Sequence, residues 1–191
     1  MPTPARTSVE EIVDAASRIL DEAGLAGLTM QAVAARVGVR PPSLYKRVRD
    51  RDELLGMIAA ATAGDLGERL TAAAAVASDD PGERLVQLAH ALRAYAHARP
   101  ERYRLVFAPP AETVALDDDA RAVAVRTLLE TTAELVGPDE ALPAARTVTA
   151  WATGFISMEF AGAFRLGGDV DDAFAYGIER IAAALGSGRA A

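Results

Sequence analysis

Apolar residues recur every three or four positions along most of the chain, the period of an amphipathic helix. Val9, Ile12, Val13, Ala16, Ile19 and Leu20 form the first such stripe. Ser8 with Glu11 opens it at the spacing of a capping box, and Gly24 is the expected C-cap. A second stripe follows Thr29, a good N-cap, with Met30, Val33, Ala34 and Val37 on one face, and Gly38 stops it early. Leu44, Tyr45 and Val48 make a third, short piece. Asp50 with Glu53 then repeats the cap pattern and opens a longer helix through Leu54, Leu55 and Ile58 into the alanine-rich residues 59–77. Beyond it the pattern predicts helices over residues 83–99, 118–136, 139–164 and 170–186, with a brief piece at Tyr103, Leu105, Val106 and Phe107. Breaks are expected at residues 78–82, at Pro100, at Pro109-Pro110, at Gly137-Pro138 and at Gly167-Gly168. No stretch alternates as a strand would. The expected fold class is all-α, with an N-terminal three-helix module over residues 1–52 and a C-terminal helical bundle over residues 53–191.

The run GVRPPSLYKR (residues 38–47) sets two prolines directly ahead of a short helix. The first turn of a helix has no internal partner for its N–H groups, so proline is tolerated there. The residue before a proline is pushed out of the helical region. Arg40 and Pro41 are therefore expected to be extended, and Pro42 to be the first helical residue. A short helix, a glycine turn and a second short helix with a sterically fixed start make a helix-turn-helix, with residues 43–48 on the recognition helix.

Composition narrows the classes. Apolar residues are 51% of the chain, which excludes wholesale disorder, and aromatics only 5%, which with abundant alanine favours close-packed helices. With no cysteine, disulfides, thiolate metal sites and a cysteine nucleophile are excluded. No apolar run approaches the roughly 18 residues of a membrane span, and Met1-Pro2-Thr3-Pro4 does not begin a signal peptide, so a soluble cytoplasmic protein is expected, with no membrane partner. The net charge of −7 argues against a polyanionic partner, but its distribution reverses the argument. Residues 1–52 carry eight basic against seven acidic side chains, and the remainder twelve against twenty. Within residues 36–51 stand Arg36, Arg40, Lys46, Arg47, Arg49 and Arg51 against one acid, Asp50, a concentrated basic footprint.

The stretch LTMQAVAARVGVRPPSLYKRVRDRDELL (residues 28–55) resembles the DNA-binding domain of TetR-type transcriptional repressors: a Thr-capped second helix, a Gly-Val turn, a Leu-Tyr pair in the recognition helix and a Glu-Leu-Leu opening of the fourth helix. The resemblance covers about residues 8–58. The chain departs from the family pattern at Arg40, where a small hydroxyl residue is usual, at Pro42, at Val48 and at Arg51. The C-terminal half resembles the effector domain of a TetR subgroup marked by Trp then His-Gly. Here the stretch begins Trp151-Ala152-Thr153-Gly154, with Thr153 in place of the histidine.

The resemblance implies a homodimer formed through the last two helices, a double-stranded DNA operator of roughly palindromic sequence, and a small-molecule effector of unknown identity. It implies DNA contacts by Thr29, Arg40, Pro42, Ser43, Tyr45, Lys46, Arg47 and Arg51. Tyr45 has the alternative of packing on the first helix, and Arg51 of a local cap or ion pair. The aromatic and apolar residues Tyr95, Tyr103, Phe107, Trp151, Phe155 and Met158 stand at helical spacing, most simply as core, and some are expected to line an effector pocket. Glu159, inside an apolar helix, is either a satisfied structural carboxylate or a group that orients a polar or cationic ligand. His90 and His97 lie on one face with Ala94 between them, and Glu101 is the only further ligand nearby, so no metal and no cofactor are expected. The alternative class is a small helical enzyme or ligand-binding bundle with an incidental basic patch. Against catalysis stands the absence of a nucleophile–base pattern, a metal cluster or a phosphate loop.

Overall fold

Local side-chain chemistry starts most of the helices. In the computed structural model, which describes residues 8–107 and 118–188, Ser8 Oγ accepts the Glu11 N–H at 3.0 Å. Glu11 returns the contact by accepting the Ser8 N–H at 2.9 Å, the two halves of a capping box. The helix so opened, α1, spans Val9–Gly27 and turns Ile12, Ala16, Ile19 and Leu20 inward. Its regular part ends at Gly24, whose φ of 65° and ψ of −174° favour glycine, and one more turn carries the chain to Gly27. Thr29 Oγ1 accepts the Ala32 N–H at 3.1 Å and caps α2, Met30–Arg36. Gly38, at φ 73°, closes α2 in a Schellman motif: Gly38 N–H bonds Ala35 O, and Val39 N–H bonds Ala34 O at 2.9 Å.

The next helix, α3, is Pro41–Leu44, and here two expectations are corrected. Arg40 is extended as expected (φ −81°, ψ 145°), but Pro41 is helical too. Its carbonyl accepts the Tyr45 N–H at 3.2 Å, a bond available only if the helix starts one residue earlier than the pre-proline bias favours. The helix expected to run through residues 43–48 is also shorter than expected. Regular helix ends at Leu44, and hydrogen-bonded turns from Arg47 and Val48 back to Leu44 O carry the chain on.

Helix α4, Arg51–Ala75, starts where Asp50 Oδ1 accepts the Glu53 N–H at 2.8 Å. Two compact units are present. The first comprises residues 1–64 and 99–121, so it holds α1, α2, α3, the first part of α4, and α6, Pro100–Phe107. Pro100, expected as an interruption, serves as the first residue of α6. The core of this unit gathers Ile12, Leu20, Leu28, Val33, Leu44, Val48, Leu54 and Ile58, joined by Leu105 of α6. Arg102 of α6 also pairs with Asp21 of α1 through bonds of 2.9 and 2.6 Å.

The second unit, residues 65–98 and 122–191, holds α5 (Pro81–Ala98), most of α7 (Asp118–Val136), α8 (Ala141–Phe160) and α9 (Val170–Ser187). Asp80 Oδ1 accepts the Gly82 and Glu83 N–H groups, which moves the start of α5 ahead of the expected residue 83. Helix α8 stops at Phe160 rather than 164. Gly162, at φ 61°, forms a second Schellman closure with bonds from Gly162 to Glu159 O and from Ala163 to Met158 O. Helix α5 packs on α8 and α9 around Leu85, Ala89, Val148, Phe174 and Ile178. The expected Pro109-Pro110 break and the Met1–Pro4 start lie outside the described residues.

Candidate nucleic-acid interface

A four-residue helix is too short to hold itself, so α3 depends on its anchors. Leu44 and Val48 are 1% and 0% exposed in the first core, four residues apart and therefore on one side. The rest of the run from residue 40 to residue 47 is open to solvent: Arg40, Pro41, Pro42, Ser43, Tyr45, Lys46 and Arg47 are all exposed. Tyr45 is 51% exposed, so about half of its surface remains open to solvent. Thr29 is exposed at the start of α2, its hydroxyl oxygen already accepting from the backbone.

The six basic side chains of the cluster fall into two groups. Arg36 forks onto Glu22 with bonds of 3.2 and 2.6 Å, a hydrogen-bonded pairing that holds the Glu22 carboxyl below its ordinary range. Arg49 Nε donates to Asp50 at 2.8 Å, and the Asp50 carboxyl is likewise held low, first by the Glu53 backbone N–H and then by Arg49. Arg51 donates from Nε to Leu28 O at 2.8 Å and from Nη2 to Leu25 O at 2.6 Å, tying the end of α1 to the start of α4. Its guanidinium is therefore engaged with the protein's own backbone. Arg40, Lys46 and Arg47 take no part in any ion pair among the described residues. What the sequence presents as six cations is thus three structural ones and three available ones, and the available three flank α3, Arg40 at its N-cap and Lys46 and Arg47 in the turn after it.

The residues expected around a ligand are distributed between the units. Tyr103 and Phe107, on α6 of the first unit, stack at 4.7 Å. In the second unit Trp151, Phe155 and Phe174 meet at 5.0 to 5.7 Å, and the Arg69 guanidinium lies over the Tyr95 ring at 5.5 Å. Met158 is exposed. Glu159 is 7% exposed and accepts from Arg93 Nε and Nη2 at 2.6 to 3.1 Å, while Arg93 Nη2 also reaches Asp171 at 2.5 Å. His97 Nε2 lies 3.4 Å from Glu159. Burial alone would raise the Glu159 pKa, but the bonds and charge of Arg93, with His97, outweigh it and hold the carboxyl below its ordinary value. The residue between the histidines on this face is Arg93, and Ala94 is exposed. The His90 and Phe174 rings form a T-shaped pair with centroids 5.3 Å apart. The sequence reading missed Arg93. The available signal was its position between the two histidines on a helix opposite an apolar segment carrying a lone carboxylate.

Two family profiles match the chain. One, described as bacterial regulatory proteins, tetR family, covers residues 6–58, and the other, described as tetracyclin repressor-like, C-terminal domain, covers residues 85–181. An HTH-type transcriptional regulator of Mycobacterium tuberculosis, Rv0681, itself uncharacterized, is 33% identical over 100 residues, 52% of this chain and 45% of that protein. The chain spans about half the length of the first curated relative it matches. Among solved structures, a candidate regulatory protein, SCO4313, matches with a TM-score of 0.73 at 30% identity, covering 95% of this chain and 98% of the other. A TetR variant from Acinetobacter baumannii AYE, solved in complex with minocycline, matches with a TM-score of 0.71 at 23% identity, covering 96% and 98% of the two chains, a likeness of fold.

Proposed function

Because the chain belongs to the TetR family of bacterial regulatory proteins, we propose that it is a ligand-responsive transcriptional repressor that binds a roughly palindromic operator as a homodimer. The observation that carries this reading is the separation of the basic cluster into tied and available cations, with Arg40 left at the start of α3 and Lys46 and Arg47 in the turn after it. The recognition segment lies in the major groove, and Lys46, Arg47 and Tyr45 hold phosphates on its flanks. Each neutralised phosphate releases counterions, so the net acidity of the chain is no obstacle to binding. Thr29 brings the start of α2 to the backbone, while Pro42 and Ser43 meet the groove floor. Arg51 acts by holding α1 against α4, its charge adding to the local field.

Dimerisation through α8 and α9 sets two such heads about one helical turn of DNA apart, roughly 34–36 Å, which is what makes the operator two-fold. The effector is taken up in the C-terminal region, with Tyr95, Trp151, Phe155, Met158 and Glu159 the residues of the second unit assigned to it. A ligand that favours a conformation with the heads wrongly spaced releases DNA by shifting the population. The protein works in the cytoplasm as a regulator rather than as an enzyme.

Footprinting the purified protein on genomic fragments, with and without a panel of small molecules, tests the reading. Protection of a short palindrome, relieved by one compound, is the expected result. Absence of protection on every fragment at low salt, where electrostatic binding is strongest, overturns it.

A further inference from the structure

Resting on the DNA-binding reading above, we infer that Arg40 reads a base in each head and that each operator half-site carries a guanine opposite it. The four residues at the leading end of α3 are Arg40, Pro41, Pro42 and Ser43, all exposed. The prolines have no N–H and no polar side chain, so they read nothing by hydrogen bonding. Ser43 offers one short hydroxyl, which suits either edge of a base pair. Arg40 alone presents a planar fork, and that fork matches the N7 and O6 acceptors of guanine in the major groove.

Availability separates Arg40 from its neighbours. Arg36 is bound to Glu22, Arg49 to Asp50, and Arg51 to the carbonyls of Leu25 and Leu28. Arg40 occupies the N-cap position yet makes no side-chain capping bond, and it takes part in no ion pair among the described residues. Arg47 and Lys46 also stand available, but they follow Leu44, in the turn after α3 rather than at its leading end.

Arg40 is also held ready. Its backbone is extended, its carbonyl accepts the Ser43 N–H at 2.8 Å, and Pro41 follows with its φ restricted by the ring. Ordering on binding is thereby confined to the side chain, which lowers the entropic cost of the contact.

The test is selection from a random duplex library by the full-length protein and by Arg40→Ala, whose melting temperature should match the parent because the side chain makes no bond to lose. The parent pool should hold one invariant guanine per half-site. The Arg40→Ala pool should lose that preference and keep the others. Replacing that guanine with 7-deazaguanine, which lacks the N7 acceptor, should weaken the parent roughly 10- to 100-fold and leave Arg40→Ala unaffected. Uniform weakening by Arg40→Ala on all sequences, with a shallower salt dependence, would make Arg40 a phosphate contact and overturn the inference. A parent that selects no sequence yet binds every duplex overturns it as well. A parent that binds no duplex at low salt removes the DNA-binding reading itself.

Discussion

Replacing Arg93 with alanine strands Glu159. The carboxylate is 7% exposed and would lose both of its guanidinium donors, keeping only His97 at 3.4 Å. Breaking a buried pair from one side costs about 3–5 kcal/mol, because the remaining charge stays buried without compensation. Asp171 is 79% exposed and His97 lies at the rim, so solvent reaches the cluster and the lower end, about 3 kcal/mol, is the expected value. For a chain of this size that corresponds to a loss of roughly 6–12 °C in melting temperature. The double replacement Arg93→Met with Glu159→Leu should recover much of the loss, since it removes both charges and fills the space.

The pH dependence separates a stranded charge from lost packing. In the parent, Glu159 titrates below its unfolded value, so its contribution is complete above the ordinary carboxylate range and disappears as pH falls through the folded pKa. In Arg93→Ala, burial acts with little opposition and raises the folded pKa, so the penalty belongs to the higher pH and fades in acid. The difference in stability between the two proteins should therefore shrink between about pH 7 and about pH 4.5, measured by urea unfolding. An equal deficit at both pH values, or a double variant no better than Arg93→Ala, would refute the reasoning.

On the proposed dimeric DNA-binding reading, Lys46→Ala should weaken binding to all duplexes alike and reduce the slope of log affinity against log salt by about two, one phosphate per head; an unchanged slope in a salt titration counts against the contact. Gly177→Ala should destabilise by about 1–3 kcal/mol, because the added Cβ would stand 2.3 Å from Trp151 Cζ2; a melting temperature equal to the parent's would show that the two helices part at no cost. Thr29→Ala should cost about 1 kcal/mol through loss of the bond to the Ala32 N–H, and Thr29→Asp, which keeps an acceptor there, should restore it in the same unfolding assay.

What was legible in the sequence was what is local. The caps at Ser8, Thr29 and Asp50 and the stop at Gly38 involve residues a few positions apart, so spacing alone identified them. The start of α3 was misplaced by one residue because a backbone bond from Tyr45 outweighed a steric bias at Pro41. The end of α8 was read through Gly162, whose turn interrupts an otherwise apolar pattern. Pairings across helices were not legible. Arg36 and Glu22 are 14 residues apart, Arg93 and Glu159 66, and Arg93 and Asp171 78, and periodicity says which face a side chain occupies without saying what it meets. Consequently the overall basic footprint was found from charge alone, while the division between tied and available cations required the fold.

The shortness of α3 bears on how mutants of this protein would be interpreted. A one-turn helix takes its position from Leu44 and Val48, both sealed in the first core, and it has no length of its own to preserve that position once they are altered. On the repressor reading proposed above, a genetic screen for derepressed colonies should therefore return changes at these two hidden residues as readily as at Lys46 or Arg40, the proposed contacts, and with the same phenotype. Only the abundance of the mutant protein in the cell would separate the classes: depleted where an anchor is lost, normal where a contact is.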